Sequence, residues 1–379
     1  MNYAFDPRLP SPTKLLETYH SLTGWCDALA RTGASVRLLQ AFHHDADFVG
    51  SSGASYTFHG ASPTWVGAPR FHASIMDDPP HIVHVNGLDS ALQTWLLRQT
   101  LPRTTAIVVQ DHGGTPAHEW SVSTRIRRRV MRAADGYLFT AAELAEPWLR
   151  VGCIADARTV HTVIGASTNF GARDREEARA VTGISGSPAL VWVGRLDAVK
   201  DPLTVLDGFE MALQDVPSAT LTMIYQEYGL LADVKSRIGA SPALRERVVL
   251  RGTVPHDRLA DCCSAADMFV LGSAREVCGF AVVEACACGA APVVTDIPAF
   301  RAITAGGAIG ALWPRGDARA LADAIVSLSR RDMREERRRI LEHFERHLSW
   351  TAIARRARTV YESVIVQRRE SVRASTRMW

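Results

Sequence analysis

Residues 273–296 read S-A-R-E-V-C-G-F-A-V-V-E-A-C-A-C-G-A-A-P-V-V-T-D, and this stretch decides the fold of the 379-residue chain. Its preamble A-D-M-F-V-L (266–271) predicts a short buried strand, Phe280 to Cys288 a helix of small and apolar residues, and Ala291 to Thr295 the next strand. Such a βαβ unit places a ligand beyond the carboxyl end of its first strand, where the N–H groups of Gly279, Phe280 and Ala281 face a phosphate with the helix dipole behind them. Gly279 lets the backbone approach closely. Glu276, in the loop before the helix, reaches sugar hydroxyls, and Glu284, further along the helix, accepts from a ribose diol. Alone, two glutamates eight residues apart read more readily as caps or solvated charges.

A second element stands upstream. Residues 189–202, A-L-V-W-V-G-R-L-D-A-V-K-D-P, predict a β-branched strand, a glycine turn at Gly194, then Arg195 and Lys200 before a proline-started helix. Two cations at a strand end suit a diphosphate, and with the glutamates they make one site with cations for phosphate and carboxylates for hydroxyls. At this point the chain resembles the retaining glycosyltransferases of family 4 (glycosyl transferases group 1). Gly194, Arg195, Leu196 and Lys200 match the first part of the family pattern, and Glu276, Gly279, Glu284, Ala285, Ala287, Gly289, Pro292, Val293 and Val294 match the second. Val277 and Cys278 depart from it, standing where the family has Gly and Phe.

Length alone calls for two domains, each able to bury an apolar core. With 43 basic and 40 acidic residues the net charge is +3, which gives nucleic acid no role as a bulk electrostatic partner. There is no signal pattern and no apolar run of eighteen residues, so we expect a cytoplasmic protein, with at most peripheral contact at the inner membrane face. Seven cysteines, in neither disulfide nor zinc-finger spacing, read as small buried residues. Strands alternate with helices in both halves, predicting two doubly wound α/β domains. In the first half the strands fall near Val36 to Phe42, Ile82 to Asn86, Ala106 to Gln110, Gly136 to Thr140 and Val160 to Ile164, after a helix from about Thr13 to Arg31. The Gly- and Ser-rich segment from Gly165 to Ser187 is the linker candidate. The expected organisation is a Rossmann-like acceptor domain at 1–168, a donor domain at 169–349, a helix at 350–366 crossing back onto the first domain, and a polar tail at 367–379.

The resemblance implies the GT-B architecture, two Rossmann-like domains facing a central cleft. It also implies a role for His112, in the loop after I-V-V-Q-D-H-G-G (107–114), where the family has a histidine close to the transferred sugar. His84, inside its strand, reads as a core residue. Residues 165–169 hold the place of the family's P-N-G-V-D without its letters. The family's long opening strand and Gly-Gly loop are replaced by Tyr3 to Phe5 and D-P-R-L-P-S-P, so either the acceptor is held differently or the chain begins late relative to its relatives. Asp45-Ala-Asp47 has the form of a D-x-D metal motif but follows the wrong strand for one, so no metal ligand is assigned. The run R-I-R-R-R-V-M-R (125–132) reads as a solvated helix face, or as a surface for anionic lipid or an acidic acceptor.

What the resemblance implies is a metal-independent, retaining hexosyltransferase, without cofactor, moving a sugar from a nucleoside diphosphate to an unidentified hydroxyl acceptor. Arg195 and Lys200 would meet the leaving diphosphate, Glu284 the ribose, Glu276 the sugar hydroxyls, and His112 the reacting face. An epimerase or phosphorylase on the same fold, or a non-catalytic nucleotide-sugar binder, are the alternatives.

Overall fold

The computed structural model describes residues 1–60, 68–117, 120–226 and 229–377. The chain divides into two units, Met1–Gly165 together with Trp350–Trp379, and Ala166–Ser349.

Unit 1 is built on β1 (Arg37–Phe42), β2 (Ala46–Val49), β3 (Ser55–Gly60), β4 (Ile82–Asn86), β5 (Ala106–Gln110), β6 (Gly136–Phe139) and β7 (Val160–Thr162). Strands β4 to β7 form a parallel sheet in chain order. All five residues of β5 are buried, as expected of a parallel strand covered on both faces. A second sheet runs β1-β3-β2, and β2 lies antiparallel to β3, a pairing the alternating reading of the sequence did not anticipate. The Asp45 carboxylate accepts from the Gly60 N–H at 2.7 Å, so the first aspartate of the D-x-D holds this hairpin-like pair together. Met1 and Asn2 lie between the sheets: the Asn2 N–H bonds Leu39 O, and the Asn86 N–H bonds Met1 O, both at 2.9 Å.

The predicted helix over 13–31 is two helices, Pro12–Thr18 and His20–Ala30, broken at Tyr19 (φ −101°, ψ 55°). The second helix packs on Trp350–Arg377, whose Trp350, Ile353, Ala354, Ala357, Val360, Tyr361 and Val364 form one buried stripe. Gly24 permits this approach, because a Cβ there would stand 2.3 Å from the Trp350 ring. The 28-residue helix runs well past Val366, where a polar tail was expected. Residues 367–377 contain no Gly or Pro to stop it, and Arg368 anchors them by donating to Arg103 O at 2.7 Å and pairing with Asp135 at 3.3 Å.

Among its described residues unit 2 carries six parallel strands, β8 (Ala189–Gly194), β9 (Thr220–Tyr225), β10 (Val248–Gly252), β11 (Met268–Leu271), β12 (Ala291–Thr295) and β13 (Ala311–Trp313), in the order β10-β9-β8-β11-β12-β13. The chain winds outward from β8 to β10, returns to β11, and winds the other way to β13. Its reversal therefore lies between β8 and β11, the topological switch point where open α/β sheets bind ligands. Residues 166–187, read from composition as a linker, are held to unit 2. Arg173 pairs with Asp261 at 2.5 Å, and Arg175 and Arg179 pair with Asp267 at 2.7 and 2.9 Å. All seven cysteines are buried, and none forms a disulfide.

Candidate active site

The switch point of unit 2 gathers the predicted donor residues. A pocket of about 320 Å³ is lined by Gly194, Arg195, Lys200, Glu276, Gly279, Phe280 and Ala281, seven of the eight residues assigned to the donor from sequence. Strand β8 delivers Gly194 and Arg195. Lys200 follows a turn in which the Asp197 carboxylate accepts from the N–H groups of Val199 and Lys200, both at 3.0 Å, and Asp201 then caps the helix Pro202–Ala212. Strand β11 delivers Glu276 and the start of the helix Phe280–Ala287. Gly279 caps that helix in the left-handed region (φ 60°), which favours glycine, and a Cβ there would stand 2.6 Å from the Ile303 Cδ1 and push that methyl aside. The first-turn N–H groups of Phe280 and Ala281 have no intrahelical acceptor, as at every helix start.

The charges are arranged unequally. Lys200 forms an ion pair with Glu276, and both side chains are largely buried, 16% and 15% exposed. The Ser273 hydroxyl, itself fully buried, donates to the same carboxylate at 2.8 Å. Arg195 pairs with Asp197 at 3.2 Å and is 52% exposed. Lys200 has three N–H donors, so it can keep Glu276 and still meet a phosphate oxygen.

Glu284 lies outside the pocket lining. It is buried in the helix and accepts from, or pairs with, the His256 imidazole at 3.0 Å. That hydrogen bond raises His256 above its ordinary pKa, and Phe170 packs on the ring at 4.8 Å between centroids. A raised histidine contributes fully below its unfolded pKa near 6.5 and is lost as pH rises through the raised folded value. We therefore expect the contribution of this pair to thermal stability to fall as pH rises above about 6.5, against the opposite contribution of the buried Met1 amine, whose pKa is pushed down to about 6, and the falling part to be lost in His256→Gln. Glu284→Gln should remove it too and weaken nucleoside binding on the order of tenfold; calorimetry with free nucleoside checks this, and unchanged affinity rejects the ribose role.

His112 belongs to unit 1, in the loop after β5, with its Nε2 3.2 Å from Asn86 Oδ1. Its outer surface is open to solvent, yet the protein around the ring disfavours the cation and pushes the pKa down to about 4. His84 is partly buried, its Nδ1 meets the Tyr361 hydroxyl at 2.5 Å, and desolvation drives its pKa well down. Tyr225, Gln226, Val254, Leu259, Ser273 and His256 were not singled out from sequence. Most follow a strand of this sheet, and the reasoning that found Arg195 after β8, applied after β9 and β10, would have marked Gln226, Val254 and His256.

Comparison with known proteins agrees with this geometry. Residues 174–346 match the family described as glycosyl transferases group 1. The phosphatidyl-myo-inositol mannosyltransferase of Mycobacterium leprae is 30% identical over 189 residues, 48% of this chain and 49% of that protein, so the match spans about half of that relative. The alpha-maltose-1-phosphate synthase of Mycolicibacterium smegmatis is 25% identical over 356 residues, 89% of this chain and 85% of that protein. Among solved structures, sucrose-phosphate synthase from Thermosynechococcus elongatus has a TM-score of 0.66 at 20% identity, covering 94% of each chain. An Anabaena protein in complex with UDP and glucose has a TM-score of 0.66 at 14% identity, covering 95% of this chain and 98% of that one. With parallel sheets in both units and cations and carboxylates at the switch point of unit 2, residues 174–346 form a domain of the glycosyl transferases group 1 family, and the chain has the GT-B fold of the solved structures it resembles.

Proposed function

We propose that the protein transfers a hexose from a nucleoside diphosphate sugar to a hydroxyl acceptor, with retention of anomeric configuration and without a metal ion. The observation that carries this reading is that Arg195, Lys200 and the helix start at Gly279–Ala281 line one pocket with Glu276. In the proposed reaction the bond from the anomeric carbon to the β-phosphate oxygen breaks, and the acceptor oxygen bonds the same face of that carbon. The acceptor proton passes to the departing phosphate oxygen. Arg195, Lys200 and the helix dipole stabilise the charge that grows on the diphosphate, which is the work a divalent ion does elsewhere. Glu276 orients the sugar hydroxyls and Glu284 the ribose. His112, held neutral at pH 7, serves as a hydrogen-bonding partner of the transferred sugar rather than a cation.

The relatives' names cover a phosphatidyl-inositol acceptor and a sugar phosphate product, and for this chain we propose the acceptor only as a hydroxyl. A thermal-shift screen against nucleoside diphosphates and their sugars identifies the donor, since ligands of the folded state raise its stability with the logarithm of their excess. With that donor, NMR of the product's anomeric proton should show retention, and turnover should survive exhaustive EDTA treatment. Loss of transfer in EDTA, restored by Mg²⁺ or Mn²⁺, rejects the metal-free mechanism. Turnover of donor without any acceptor points to an epimerase, transfer to free phosphate to a phosphorylase, and binding without turnover to a non-catalytic binder.

A further inference from the structure

We propose that unit 1 docks on an anionic lipid surface through the helix Val122–Val130 and the residues beside it. From Trp120 to Ala134 the chain carries five arginines and no carboxylate. The structure divides the five. Arg127 faces inward, pairing with Asp89 at 3.2 Å and lying 5.7 Å over the Trp148 ring, and the Arg128 Nε donates to Val151 O at 2.5 Å. Arg125, Arg129 and Arg132 face solvent, and no carboxylate among the described residues pairs with them.

The outward face is apolar as well as basic. At 100° per residue, Val122, Arg125, Ile126 and Arg129 share an arc of about 100° on the helix. The buried Thr124 and the inward Arg127 and Arg128 occupy the opposite side. Val122 is 71% exposed and Ile126 53%, and Trp120, just before the helix, is 71% exposed. A solvated helix face has no use for this combination, because each exposed branched side chain keeps water ordered over apolar surface. A bilayer interface suits it: arginines meet lipid phosphates while their stems lie among the headgroups, Trp sits at headgroup depth, and the branched side chains enter the acyl boundary. Charge favours the same partner, since unit 1 carries more Lys and Arg than Asp and Glu, and unit 2 fewer. No helix among the described residues is long and apolar enough to cross a membrane, so the contact is peripheral. This inference stands independently of the donor site.

The test is co-sedimentation of the full chain with phosphatidylcholine vesicles, with and without about a third phosphatidylglycerol. We expect binding to the anionic vesicles only, weakening as salt rises above about 0.15 M. Each of R125Q, R129Q and R132Q should weaken it roughly fivefold, and the triple variant about a hundredfold. I126S should weaken binding without changing its salt dependence, and W120F should remove part of the fluorescence blue shift seen with vesicles. Circular dichroism and melting temperature, equal to wild type in every variant, show that the fold is intact. Equal binding of wild type and triple variant, binding to neutral vesicles as strong as to anionic ones, or binding to soluble polyglutamate but not to vesicles overturns the proposal, the last in favour of an acidic polymer.

Discussion

Lys200→Ala should lower kcat/KM by about 2–4 kcal/mol of transition-state stabilisation, roughly thirty- to a thousandfold. The size follows from position. Lys200 is largely buried and already paired with Glu276, so its removal would take a cation from the proposed diphosphate site and leave a largely buried carboxylate without this partner. That carboxylate, 15% exposed, would then face the incoming phosphates. Lys200→Arg should recover part of the loss, because charge is restored while the compact ammonium geometry is not. Arg195→Ala should cost less, toward the lower end of the same range, because Arg195 is half exposed and its pair with Asp197 is screened by water. Steady-state kinetics with the identified donor, with melting temperatures beside them, separates lost catalysis from lost fold. If both alanine variants turn over at the wild-type rate, the phosphate site lies elsewhere.

Asp267→Ala should destabilise unit 2 by about 3–5 kcal/mol. Asp267 stands just before β11, 6% exposed, and its carboxylate accepts from Arg175 at 2.7 Å, Arg179 at 2.9 Å and the Ala189 N–H at 2.8 Å. It thus ties the helix Arg175–Thr182 to the first strand of the sheet that carries the donor pocket. Alanine leaves two partly buried guanidinium groups and a buried N–H without their acceptor, and Arg175 already has buried nitrogens with no partner. For a unit of this size the shift in melting temperature should be on the order of 10 °C. Asp267→Asn keeps one acceptor for Ala189 and should fall between alanine and wild type. A variant that melts with wild type would show that the helix is held by apolar packing alone.

Strands β8, β11 and β12 of unit 2 were legible because parallel strands covered on both faces are written as apolar runs, A-L-V-W-V, M-F-V-L and A-P-V-V-T, whereas β13, three residues long, was not read from sequence. The residues proposed for the donor could be grouped from sequence because strand-end loops collect glycine and charge at short spacing, and seven of the eight line one pocket. In unit 1 the short strands β2 and β3 escaped notice. β2 is mostly exposed and β3 only alternately buried, so neither has the apolar run that marks its neighbours. The helix beyond Val366 escaped because its polarity reads as a tail until Arg368 is seen to reach Asp135.

Chain-local physics therefore determined which residue types stand at which strand ends, and with them the α/β class and the cluster of residues proposed for the donor. Tertiary structure alone decided the partnerships: Lys200 with Glu276, 76 residues apart, His256 with Glu284, and Asp267 with two arginines and β8. These depend on β8 and β11 lying side by side, a pairing set by burial of both sheet faces together and not by the local sequence of either strand.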